Sequence, residues 1–320
     1  MAPYNAKTTA EDAINELKDR VIGKNVVVTG VSPGGLGTEV VRTIAPYAKL
    51  IYVTGRNKDR IHESIVSIKK DVPSANIIPI VADLTSVESI RSGAWRSQSL
   101  FMWILINNAA TALFETLHRS KEGFEAQFGG NHLGHFLFTN LILPRLREAA
   151  TPEYPARVVV VSSLAYSWAQ APGGFRWDDP AFIKRPEEYA KFEAYMLSKT
   201  ANVLHARGIA RKFATDNIVA YSLSPGIVET NMNLSIPLDE QVAFGFLKED
   251  GTKAEHPHWR TFAEGVGTEV VAALDPSLLP HSGAFLLDNQ PAAGKDVTSV
   301  ITDENAERLW QLSEELLAPF

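Results

Sequence analysis

The amino-acid sequence predicts a doubly wound α/β fold, a central parallel sheet of seven strands flanked by helices. Short apolar runs alternate with helix-length segments along almost the whole chain. Most of those runs are continuously apolar rather than alternating, as expected for strands covered on both faces. A glycine-rich turn joins the first run to the first helix-like segment, where such folds hold phosphate groups.

The strands are expected at Asn25–Thr29, Leu50–Thr54, Ile77–Val81, Phe101–Ile106, Arg157–Val161, Ile218–Leu223 and Ala284–Leu287. Helical patterns lie between them near 37–46, 57–70, 86–96, 122–148, 187–213 and 260–274. Such alternation builds right-handed βαβ units. No linker, repeat or low-complexity tract divides the chain, so residues 1–320 are read as one domain. Residues 1–21 are an N-terminal extension, and 165–187 and 231–259 are insertions. Each insertion follows a strand directly, which places it on the ligand side of an open α/β sheet.

Composition narrows the function. The 320 residues carry 31 basic and 37 acidic side chains, a formal net charge of -6, and no cysteine. No basic block exists to bind nucleic acid or an anionic membrane surface. Without cysteine there are no disulfides, thiolate metal sites or cysteine nucleophiles. No secretory signal or membrane span is read from the chain, and a cytoplasmic location is expected.

Thr29-Gly30-Val31-Ser32-Pro33-Gly34-Gly35-Leu36-Gly37 follows the first strand and opens a helix. Glycines let backbone N–H groups approach a pyrophosphate, and the helix N-terminus adds partial positive charge. Gly30, Ser32, Gly35, Leu36 and Gly37 are the cradle candidates. At the end of the second strand, Gly55-Arg56-Asn57-Lys58 has no acid before Asp59. An acid there would hold a ribose 2′-hydroxyl, whereas Arg56 suits a 2′-phosphate, which favours NADP(H) over NAD.

Tyr195 and Lys199 are four apart in a helical pattern and share one face. A phenol, ordinarily near ~10, needs a neighbouring cation to work as an acid or base, and a lysine one turn away supplies it. With this pair the sequence resembles the short-chain dehydrogenase/reductase family, and within it the retinol-dehydrogenase-like members. The resemblance runs from about residue 22 to 316 through TGVSPGGLG (29–37), Asp83-Leu84, INNAA (106–110), NHLGHF (131–136), VVSS (160–163), YMLSK (195–199), SPGIVET (224–230) and AERLWQLSEEL (306–316).

The resemblance implies residue roles. Tyr195 is the acid or base at the carbonyl or alcohol oxygen. Lys199 lowers the tyrosine pKa and holds the nicotinamide ribose. Ser163 hydrogen-bonds the substrate oxygen, and Asn131 holds a relay water. Asp83 and Leu84 lie at the adenine, and Asn108 and Ala109 pass under the cofactor. Pro225, Gly226, Val228 and Thr230 shape the nicotinamide end. Three departures stand out. Four residues rather than three separate Gly30 from Gly35, leaving Gly34 and Gly35 as alternative middle glycines. Ala110 replaces a glycine, and Ser163 and Tyr195 are 32 residues apart.

The function expected is an NADP(H)-dependent oxidoreductase interconverting a ketone or aldehyde and its alcohol. Trp168, Phe175, Trp177, Phe182, Phe244, Phe246, Trp259 and Phe262 crowd the insertions and suggest a bulky, lipophilic or aromatic small-molecule substrate. The alternative is a dinucleotide sensor or partner protein that kept the fold without the chemistry. His132/His135 and His256/His258 lack a third ligand, so no metal is expected. Monomer and homodimer both stay open.

Overall fold

The structure is a computed structural model that describes residues 4–97, 101–111, 113–168, 174–230, 232, 236–256, 259–293 and 298–320, with 95–97 as backbone. Its parallel core contains β1 (Asn25–Val28), β2 (Leu50–Gly55), β3 (Ile77–Val81), β4 (Ile104–Asn107), β5 (Ala156–Val161), β6 (Ile218–Leu223) and β9 (Phe285–Leu287). Among the described residues the sheet has eight strands rather than the expected seven, in the order β10 (Gln290–Pro291), β9, β6, β5, β4, β1, β2, β3. The extra strand, β10, runs antiparallel to β9. It returns through Asp288 and Asn289, both at positive φ (56° and 67°), the geometry of a tight hairpin turn. Two residues that include a proline carry no strand signal.

The continuous apolar runs are explained by two covered faces. Val26, Val28, Ile104, Ile106, Val159, Val161, Tyr221 and Leu223 pack in one core with α1 (Ala10–Leu17), α2 (Leu36–Ile44), α3 (Lys58–Asp71) and α8 (Phe262–Leu274). Val27, Leu105, Val158, Val160 and Ala220 point the other way, toward α4 (Val87–Ser97), α5 (Gly134–Ala149) and α6 (Lys191–Lys212). Successive side chains alternate between faces, so an apolar environment on both sides makes every position apolar.

Several segments differ from the sequence reading. The helix expected near 122–148 begins as a π-helical turn at Phe128–Leu133, and that expected near 187–213 begins at Lys191. A helix also forms beyond 274, where none is expected. The N-terminal extension contains α1, started by a capping box between Thr9 and Asp12, and Ala10, Ala13, Ile14 and Leu17 are buried. It is part of a helical layer. The strand expected from Phe101 begins at Ile104, and Phe101 is exposed. At the other end α9 (Asp303–Leu317) lies along α6, where Trp310 meets Gly208 and Asp303 pairs with Arg207 and Arg211.

The insertions sit beyond the carboxyl ends of the strands. The first folds partly as a short 3-10 turn, Leu164–Trp168. Buried Asp179 then staples its loop by accepting from the backbone N–H groups of Ile183, Lys184 and Arg185 at 2.7, 3.1 and 2.9 Å. The second contains α7 (Leu238–Ala243), bracketed by a two-stranded ribbon of β7 (Ile227–Val228) and β8 (Trp259–Arg260).

Candidate active site

The glycine loop is shaped by close approach. A Cβ at Gly30, whose φ is +75°, would lie 2.4 Å from Ala109 Cα. Gly34 also needs positive φ, 70°, whereas Gly35 is extended and caps the N-terminus of α2. The two alternatives thus divide the work: Gly34 makes the turn and Gly35 starts the helix. Gly30, Ser32, Gly34, Gly35 and Leu36 all line one cavity of about 890 Å³.

The floor of that cavity is the strip after β4. Asn108 Nδ2 donates to Thr29 O at 2.8 Å, and the N–H groups of Asn108 and Ala109 both donate to Thr29 Oγ1 at 3.0 Å. Asn108 and Ala110 face the cavity, so alanine at 110 leaves the wall open. Pro225, Gly226, Val228 and Thr230 form the adjoining wall.

Ser163, Tyr195 and Lys199 come together in the same cavity. The two serines of VVSS divide cleanly. Ser162 Oγ donates to Lys199 O at 2.8 Å and is structural, while Ser163 hydrogen-bonds the Tyr195 hydroxyl. Burial raises the Tyr195 phenol above its ordinary value, and the Ser163 hydrogen bond opposes that. Lys199 Nζ donates to Val161 O at 3.2 Å and lies 5.6 Å from the Tyr195 ring centroid. Burial pushes Lys199 down to about 8, and Glu269, when ionised, pulls the other way. Glu269 itself is fully buried, neither carboxylate oxygen has a hydrogen-bond partner among the described residues, and burial pushes it up to about 8.

Asn131 stands behind this group rather than in the cavity wall. It falls in a π-helical turn, Phe128–Leu133, ahead of α5, a local widening common at functional sites. Its Oδ1 accepts from Thr111 N at 2.6 Å, and its Nδ2 donates to Ser198 Oγ at 2.9 Å. Ser198 Oγ in turn donates to Tyr195 O at 2.8 Å.

The remaining candidates lie outside the enclosed wall. Arg56 is exposed just past β2, and Asn57 caps α3 beside it. Asp83 accepts from Thr85 N and Oγ1 at 2.9 and 2.7 Å, and Leu84 packs against Gly134 of α5. Ala109 lies under Gly30 and Gly37 is buried in the first turn of α2.

The aromatic residues separate into two groups. Trp168, Phe244 and Phe246 line the cavity. Phe175 and Phe182 are buried in a separate core with Phe128 and Leu197, Trp177 packs against it, and Trp259 and Phe262 are not in the wall. Only part of the aromatic set that crowds the insertions therefore reaches the cavity: a loop can fold its rings under itself as readily as over the site. Phe192 and Met196, also in the wall, escaped the sequence reading. Their spacing from Tyr195, three before and one after, was a usable signal on one helix.

His132 and His135 are buried in hydrogen bonds to Ser313 and Thr29, and His258 lies outside the described residues. No group of three metal-ligating side chains occurs among the described residues. No helix among them is long and apolar enough to cross a membrane.

Comparison with known proteins agrees with this geometry. The short chain dehydrogenase family model matches residues 24–172. Retinol dehydrogenase 12 of Mus musculus is 32% identical over 300 residues, 93% of this chain and 87% of the relative. A short-chain dehydrogenase/reductase of Armillaria gallica is 35% identical over 222 residues, 69% of this chain and 70% of its own. A crystal structure of an uncharacterized protein from Mycobacterium paratuberculosis superposes with a TM-score of 0.68 at 25% identity, covering 94% of this chain and 96% of that one. Sheet, cavity and relatives define the class as an oxidoreductase built on a dinucleotide-binding sheet. Within it, the chain belongs to the short-chain dehydrogenase/reductase family and is retinol-dehydrogenase-like.

Proposed function

We propose that the protein uses NADP(H) to reduce a bulky, lipophilic or aromatic aldehyde or ketone, with oxidation of the matching alcohol as the reverse. The observation that carries this reading is one cavity with Ser163, Tyr195 and Lys199 at its base and apolar side chains such as Trp168, Phe192, Met196, Ile236 and Phe244 around them. Polar groups sparse in an apolar cleft fix orientation while the walls select bulk.

The residues present fit a dinucleotide. Gly34 and Gly35 offer backbone without side chains just ahead of Leu36 at the N-terminus of α2. Arg56, exposed just past β2 where no acid stands, supports the reading of a 2′-phosphate. When bound, the dinucleotide supplies or accepts the hydride. Ser163 and Tyr195 hold the carbonyl oxygen between their hydroxyls. Burial keeps the phenol protonated at neutral pH, so Tyr195 has a proton to give as charge develops on that oxygen. The Lys199 cation stabilises the phenolate left behind, and the apolar wall keeps water from competing.

The test is a paired titration with NADPH and NADH, following energy transfer from tryptophan to the nicotinamide. NADPH is expected to bind more tightly. Arg56→Ala should weaken NADPH by roughly 10- to 100-fold, the worth of a charge-assisted contact, and barely move NADH. Equal affinities in the unaltered protein would remove the Arg56 argument. Binding of neither would overturn the function.

A further inference from the structure

His135, four residues beyond Asn131, is fully buried and touches both halves of the site. Its Nδ1 is 2.9 Å from Asn131 O, and its Nε2 is 2.8 Å from Thr29 Oγ1. A carbonyl only accepts, so Nδ1 carries a proton and donates it. In a neutral ring Nε2 then accepts, and Thr29 must be its donor. A count at Thr29 gives the same answer independently. Its oxygen already accepts the N–H groups of Asn108 and Ala109, each at 3.0 Å, which fills both lone pairs. One proton remains to give, and His135 Nε2 at 2.8 Å is better placed than Ile106 O at 3.5 Å.

All donors in this chain therefore point one way. They run from the backbone of Asn108 and Ala109 to Thr29, from Thr29 to His135, and from His135 to Asn131 O. The Asn131 side chain continues through Ser198 to the backbone of Tyr195 in α6. We propose that His135 is a positioning residue, a neutral imidazole in a single tautomer that ties the dinucleotide floor at Asn108–Ala109 to Asn131 and hence to the Tyr195–Lys199 helix. Burial keeps it neutral, pushing it down to about 4 against the bond to Asn131 O, which acts in the opposite sense, and the Lys199 charge reinforces the effect of burial. Protonation would turn Nε2 into a donor facing a hydroxyl with no lone pair left for it.

Selective 15N labelling of histidine tests the tautomer directly in ligand-free protein, with His135 assigned by its loss in a variant. Protonated Nδ1 and bare Nε2 from pH 8 down to roughly pH 5 are expected on the neutral ring. A proton on Nε2 would overturn the inference, even if the protein bound no nucleotide and the function proposed above had failed. The coupling is tested with two part-mimics. Asn at 135 keeps the donor to Asn131 O, and Gln keeps the contact to Thr29. His135→Asn should weaken NADPH by ~3- to 10-fold, the worth of one neutral hydrogen bond, and leave kcat and its pH profile in place. His135→Gln should do the reverse, holding NADPH affinity while kcat falls by a similar factor and the Tyr195-dependent limb of its pH profile moves. This second arm rests on the proposed reduction. If both variants lower only the melting temperature, His135 merely fills space and the proposal fails.

Discussion

The base of the cavity and its roof are built in different ways. At the base, Thr29, Asn131, Ser162 and Lys199 are buried on or beside the parallel sheet, and each has a named hydrogen-bond partner. The roof is assembled from a 3-10 turn, the six-residue α7 and a ribbon of two-residue strands, with Trp168 and Phe244 exposed at 48% and 37%. Such a region has fewer ladder bonds than the sheet beneath it, and is expected to open at lower cost. The lesson is a division of labour. On the proposed reading, chemistry falls to the part whose backbone is paired in the sheet, and substrate choice to loop elements that can change without disturbing it.

The sharpest break of this comparison is at the base. Tyr195→Phe removes the proton and keeps the ring, so kcat should fall by ~100- to 10,000-fold while NADPH affinity is nearly unchanged. Stopped-flow or steady-state NADPH consumption, beside the binding titration, reads both. Retention of most activity would move the acid elsewhere.

That base was largely legible before the fold was seen, because its signals are local. Tyr195 and Lys199 share a helical face, and the glycine turn sits between a strand and a helix. The paired cores of Val26/Val28 and Val27 explain why the strand runs were continuously apolar. The roof was not legible in the same way. Nothing near Phe175 or Phe182 distinguishes them from Phe244, yet two went into a core and one into the cavity. Which side a loop turns its rings depends on distant partners, such as Phe128 and Leu197. The π-helical turn at Asn131 is similarly hidden. Close packing accompanies it, since a Cβ at Gly130 would lie 2.3 Å from Thr111 Oγ1, and that contact is not visible in the local sequence. β10 was missed because its pairing is made by a turn of Asp288 and Asn289 rather than by strand residues.

A second prediction concerns how the base responds to pH. His135 and His205, pushed by burial to about 4 and about 3, stay neutral in the fold, and His132 is lowered in the same sense. The unfolded chain binds protons at these sites below its ordinary value of 6.5, so the fold binds fewer. Their stability contribution is complete above pH 6.5 and is lost as pH falls toward 4, with His135 alone worth about 3 kcal/mol. Glu269 has the opposite sign. Its carboxyl is raised from 4.5 to about 8, so the fold binds more protons and stability falls as pH rises across that window. Urea midpoints should therefore rise from pH 4 to about 6.5 and fall from there to about 8. Above that Lys199, pushed down to about 8 from its ordinary 10.5, adds stability as pH rises. His205→Phe should flatten the acid side, and Glu269→Gln the alkaline side. A flat alkaline side in the unaltered protein would show that Glu269 shares its charge with Lys199 throughout.

The smallest expected effect sharpens the comparison most, because it acts only on the attachment of roof to base. Lys191 is the first residue of α6, four before Tyr195, and its Nζ pairs with Glu115 and, at 2.6 Å, with Glu240 of α7. Beside it the rings of Phe192 and Phe244 meet edge to face at 4.7 Å. Lys191 is only 10% exposed and Glu240 28%, so their pair is shielded more than a surface bridge, while Glu115 at 71% is open to solvent. Lys191→Met keeps the stem and removes the charge. A pair of this kind is worth about 1 kcal/mol, so KM should rise ~3- to 5-fold with kcat little changed, since no base residue is touched. Salt adds a second readout. Raising ionic strength should increase KM of the unaltered protein toward that of the variant and leave the variant insensitive. If instead the substitution leaves KM and its salt response unchanged, the roof is held by the Phe192–Phe244 contact alone. The proper variant to loosen it is then Phe244→Ala.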